Sequence, residues 1–145
     1  MITVIELVVG AVLAFAFLMW TRAQPDGGIR LYAIGLGVTA LIYVAFAVIG
    51  GANARSLGLE AAGVLVYGAA AWLGFRGSAA LLALGWAMHP VWDVALHLTG
   101  TGAGYTPDWY PWGCVSFDLM VAGAVLTTGA LQERSFKDRG DRGWR

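Results

Sequence analysis

Residues 29–49 read IRLYAIGLGVTALIYVAFAVI, with a single charge, Arg30, at the start. The apolar residues do not recur at a helical or strand period. They form one continuous run of about the 20 residues a helix needs to cross the hydrocarbon layer of a bilayer. Working outward, four more such runs stand at about residues 2–20, 56–75, 78–98 and 112–131. Turn chemistry separates them: Gln24-Pro25-Asp26-Gly27-Gly28, Gly50-Gly51-Ala52-Asn53, and the very short Arg76-Gly77, which makes a hairpin of the third and fourth runs. Residues 99–111 form the longest connection. The chain is thus expected to be an all-α membrane bundle of five transmembrane helices over residues 1–131. A charged tail over residues 132–145 is expected to fray.

Composition agrees. The chain has 145 residues, 59% hydrophobic and 12% charged, against about 25% charged in an ordinary soluble domain. Lipid-spanning strands would need alternating segments of about ten residues, and the sequence has none. The first run has no basic segment before it, which reads as a retained helix rather than a signal peptide. The single cysteine, Cys114, excludes an intrachain disulfide and any Cys-x-x-Cys site. Net charge is zero and points to no nucleic-acid partner.

Five spans put the chain ends on opposite sides. Arg22, Arg30, Arg76, Arg134, Lys137, Arg139, Arg142 and Arg145 then share one side, and Arg55 alone falls on the other. The positive-inside rule places the larger group in the cytoplasm, so the N-terminus and the 99–111 connection are expected outside. The expected location is a bacterial-type plasma (inner) membrane. Gly10/Ala14 and Ala33/Gly37 are small-x-x-x-small pairs. They suit packing within one bundle, and a homo-oligomer seam is the other reading.

Glu6, Glu60, His89, Asp93, His97 and Asp118 interrupt the apolar runs. A carboxylate at mid-membrane opposes insertion by about 2.5–3.5 kcal/mol, so such groups should face the interior and satisfy one another. With the helix directions above, a rise of about 1.5 Å per residue puts all six in the outer half of the bilayer. Tyr43 of the second helix joins that layer. His89, Asp93 and His97 stand at i, i+4 and i+8, one stripe that drifts about 40° per step. Pro90 removes a backbone donor beside the stripe and leaves the Trp86 carbonyl partly free. Cys114 and Asp118 are likewise i, i+4 neighbours.

Several readings fit this layer. His89, Asp93, Glu60 and Asp118 are candidate catalytic acids and bases, because a His–carboxylate pair can hold a proton and pass it on. With His97 added, the same set offers zinc, iron or manganese an imidazole-and-carboxylate shell. Tyr43, Trp86, Trp92, Tyr110 and Cys114 are the expected walls of a pocket for a lipophilic molecule entering from the bilayer. An enzyme of this kind would be a membrane isomerase, cyclase or metal-dependent hydrolase. A proton- or ion-coupled transporter is the second reading. A non-catalytic network that fixes helix packing is the third. His97, near the interface, could be solvated, and Glu6 could snorkel to the surface. The connecting segment Tyr105-Thr-Pro-Asp-Trp109-Tyr110-Pro-Trp112 reads as an interfacial aromatic belt or as a lid over the pocket. Membrane lipids are the expected partners.

Two resemblances bear on these residues. Gly85-Trp86, His89-Pro-Val-Trp92-Asp93 and His97, followed by Pro107-Asp-Trp109-Tyr110-Pro111, Cys114 and Phe117-Asp118, resemble a pattern in an uncharacterised family of small bacterial integral membrane proteins. Arg30-Leu-Tyr-Ala and Ile42-Tyr43 fit the same pattern, which covers most of the chain and implies no particular activity. A more distant likeness, in architecture only, is to sterol isomerases of the emopamil-binding type. They too combine five helices with a His-x-x-x-acid pair on one helix, matched here by His89 and Asp93.

Overall fold

Hydrocarbon offers the backbone no hydrogen-bond partners, so each span must satisfy its own N–H and C=O groups as a helix. The computed structural model describes residues 4–24 and 28–142, and side chains as far as residue 129. Its elements are α1 (Val4–Arg22), α2 (Ile29–Ile49), α3 (Ala54–Phe75), α4 (Ala79–Leu98) and α5 (Tyr110–Arg142). All five are long and apolar enough to cross a membrane, the fifth over Tyr110–Gly129. The protein is a multi-pass integral membrane protein built as a five-helix bundle. Beyond its apolar part, α5 stays helical to Arg142 where the sequence suggests a fraying tail. The expected turn residues Pro25, Asp26 and Gly27 lie outside the described residues, as do the side chains of the basic residues after 129.

The short connections are built from caps. The Asn53 side chain accepts from the Ser56 N–H at 3.0 Å and starts α3, and Ser78 starts α4 in the same way on Leu81. Gly77, at φ 123°, occupies backbone space closed to side chains and lets α3 turn directly into α4. One end of the bundle therefore carries the α2–α3 turn and the long 99–109 connection. The opposite end carries the α3–α4 hairpin.

Around the bundle the helices follow the order α1, α5, α4, α3, α2. α1 comes close to α5 at Gly10, where a methyl group would run into the Gly113 carbonyl and the Ser116 hydroxyl. The Ser116 hydroxyl spans that seam and donates to the Leu7 carbonyl at 2.7 Å. The Gly10/Ala14 pair thus serves packing inside the chain. α1 and α2 meet toward the hairpin end, where the Thr21 hydroxyl lies 2.8 Å from the Tyr32 hydroxyl and the Phe17 ring meets Tyr32 edge-on; toward the other end they part, which leaves a gap with α5 behind it. In the half nearer the hairpin, Leu36, Leu82, Trp86, Val121 and Val125 close into an apolar core. Val12, Phe15, Leu65 and Val91 point outward and are exposed. In water that surface would drive aggregation; in a bilayer it contacts lipid.

Candidate functional site

α4 presents His89 and Asp93 to the interior, and α5 brings Asp118 against them. His89 Nδ1 pairs with Asp118 Oδ2 at 2.9 Å. It also stands 3.3 Å from Asp93 Oδ2. All three side chains are essentially fully buried. One donor atom from each falls within 4.8 Å of the others, the spacing of a metal-ligand set. Polar satisfaction is incomplete. Both Asp93 oxygens and Asp118 Oδ1 are buried without a hydrogen-bond partner. The Tyr43 hydroxyl is close enough to Asp93 to interact with it but does not reach the geometry of a full hydrogen bond. The Tyr67 ring meets His89 edge-on at 4.9 Å, and its hydroxyl donates to the Met88 carbonyl at 3.1 Å. Together these contacts fix the imidazole.

Glu60 of α3 is buried beside this group and held from the other direction. The Tyr105 hydroxyl, in the long connection, donates to Glu60 Oε1 at 2.6 Å. Burial, and then this bond to Glu60, keep the Tyr105 hydroxyl well above its ordinary pKa, so it remains a donor at neutral pH. Glu60, Tyr43, Tyr67, Trp92, His89 and Asp93 surround a tight void too narrow for a water molecule.

The open space lies on the other side of Asp118. A cavity of about 500 Å³ sits between α1, α2 and α5, walled almost wholly by apolar atoms. Ile5, Val9 and Leu13 form its exposed edge on α1, while Thr39 and Ile42 line it from α2. Tyr110, Cys114 and Asp118 form its α5 wall, with Trp109 and Glu6 near the long-connection end. Residues 1–131 match one family profile. The chain belongs to DUF6010, a family of unknown function. No curated protein and no solved structure matches it.

In this DUF6010 protein the residues expected from sequence separate into groups. His89, Asp93 and Asp118 come together. Glu60, Tyr43 and Trp92 border them. Tyr110 and Cys114 line the large cavity. His97 stands apart: its Nε2 lies 3.6 Å from the exposed Asp108. His97 is partly buried, with Nδ1 enclosed and without a hydrogen-bond partner, two turns along α4 from His89 toward the long connection. Trp86 is not a pocket wall. It is fully buried in the core and donates Nε1 to the Tyr32 carbonyl at 3.1 Å. Tyr67 and the α1 and α2 walls of the cavity escape sequence reasoning, because they depend on which helices are neighbours. The aromatic run before α5 gave the signal that could have found Tyr105.

Proposed function

We propose that this protein is an intramembrane enzyme that takes a lipophilic molecule from the bilayer and acts on it with the His89–Asp93–Asp118 centre. One observation carries the reading: Asp118, fully buried in the centre, also borders the large apolar cavity from behind its wall. A volume of about 500 Å³ falls within the roughly 300–1,000 Å³ usual for small-molecule sites. The walls suit a sterol-, terpene- or lipid-like molecule, and the exposed Ile5, Val9 and Leu13 put the entrance on the lipid side. The centre offers a His–carboxylate pair for proton transfer, or imidazole and carboxylate donors for a metal. Isomerase, cyclase and metal-dependent hydrolase are the reaction classes that fit. The apolar core of Leu36, Leu82, Trp86, Val121 and Val125 beneath the centre favours this reading over a proton or ion path, which needs polar groups in series. Charge asymmetry supports a bacterial-type plasma membrane with the long connection outside.

The test compares lipid extracts from cells expressing wild type or Asp118→Asn, together with molecules extracted from the two purified proteins. A lipophilic molecule should co-purify with Asp118→Asn and be converted only where wild type is present. Val9→Trp, which fills the cavity from its exposed edge, should abolish co-purification while the protein remains folded. Identical extracts, with nothing bound to either protein, overturn the proposal.

A further inference from the structure

The buried centre has more acceptors than donors. Two carboxylates supply four oxygens, and His89 Nδ1 can give one proton, directed at Asp118 Oδ2. Three oxygens remain buried without a hydrogen-bond partner: Oδ1 and Oδ2 of Asp93 and Oδ1 of Asp118, with Asp93 Oδ2 only in charge contact with His89 Nδ1 at 3.3 Å. Orphaned carboxylate oxygens at this depth are costly unless a cation or extra protons accompany them. The neighbouring hydroxyls do not remove the shortfall. Tyr67 donates to the Met88 carbonyl, Tyr105 donates to Glu60, and Tyr43 closes no bond.

A divalent cation matches the shortfall in charge and in geometry. Its two positive charges balance two carboxylates, and a neutral imidazole completes an uncharged set in a low-dielectric site. Ligands held at about 2.0–2.2 Å in a tetrahedral shell lie roughly 3.3–3.6 Å from one another. His89 Nδ1 and Asp93 Oδ2 are already 3.3 Å apart, and Nδ1 and Asp118 Oδ2 are 2.9 Å apart. The third edge, between the two aspartates, lies within 4.8 Å, so closing a shell needs small side-chain adjustments, with Nδ1 binding as the unprotonated nitrogen and the imidazole proton carried on Nε2. Two of the ligands share one turn of α4 and the third comes from a neighbouring helix, so the bundle itself fixes the set. We infer that His89, Asp93 and Asp118 form a divalent transition-metal centre, with one nitrogen and carboxylate oxygens as donors. That donor set suits zinc, manganese or ferrous iron. Three protein ligands leave one coordination position unfilled, and Asp118 sets the centre against the wall of the cavity. The ion's site stands on the three side chains. Its use, to polarise an oxygen-bearing group on a cavity-bound molecule, rests on the function proposed above.

The experiment is elemental analysis of the full chain purified in detergent without chelator, followed by chelation and return of zinc, manganese or ferrous salts. About one equivalent of a single metal per chain is expected. Metal should fall at least tenfold in Asp93→Asn and Asp118→Asn, and persist in His97→Ala and Cys114→Ala. Returning the metal to chelated wild type should raise its melting temperature, a readout that survives even if the aspartate variants fail to fold. Wild type that purifies metal-free and shows no thermal shift with any of the three ions overturns the metal centre. Conversion of a bound lipophilic molecule by such metal-free protein would leave the enzyme reading standing. Stoichiometric metal alongside unchanged lipid extracts would remove the enzyme reading and keep the ion.

Discussion

The Tyr105–Glu60 contact shows how much one side chain holds in place. At 2.6 Å it is a short bond to a buried oxygen, and it ties the long connection to α3. Tyr105→Phe keeps the ring and removes the donor. An unsatisfied buried acceptor costs about 1–3 kcal/mol, so the variant should lose that much stability in denaturant unfolding. Adding Glu60→Gln should cost less than the sum of the single changes, because the amide leaves a different acceptor and adds donors of its own. Strictly additive losses would show that the two groups are not coupled. At this scale part of the site is legible in sequence. His89 and Asp93 are found together because helical spacing within one element fixes their relation. Tyr105 and Glu60 are not, because no period encodes where a loop tyrosine lands.

The helices themselves are legible because lipid demands length and apolarity, and both are local properties of the chain. Neighbour order is not local, and glycine positions expose the difference. Gly10 and Gly37 each belong to a small-x-x-x-small pair, and the sequence ranks them alike. The structure does not. Gly10 lies against α5 backbone, whereas a methyl on Gly37 would meet nothing within 4 Å. Gly10→Ala should therefore lower stability by about 1–3 kcal/mol, as overpacking usually does. Gly37→Ala should be neutral or slightly stabilising, since alanine is the better helix former. Thermal unfolding of both variants in the same detergent checks the pair. Equal effects would mean that α1 does not meet α5 at Gly10. The same seam matters to the site, because α1 held on α5 leaves α2 across the gap and creates the cavity between them.

For the whole molecule, the consequence that matters is which leaflet the site serves. Glu6, Tyr43, Glu60, Asp93 and Asp118 lie in the half of their helices nearer the long connection, and His89 is close to the middle of α4. The cavity ends on Trp109 and Tyr110, at the junction of that connection with α5. On the proposed function, whichever way the bundle sits, the substrate would come from the leaflet on that side. Lysine and arginine are concentrated at the hairpin end, and the positive-inside rule places that end in the cytoplasm. The predicted source is therefore the outer leaflet. Single cysteines in a Cys114→Ala background decide the orientation. Ala103 and Ala23 are both exposed, at opposite ends of the bundle. A membrane-impermeant maleimide should label Ala103→Cys in intact cells, and Ala23→Cys only after permeabilisation. The reverse pattern would turn the bundle over and move the substrate to the cytoplasmic leaflet. The relation between cavity and centre would be unchanged, because helix packing alone sets it.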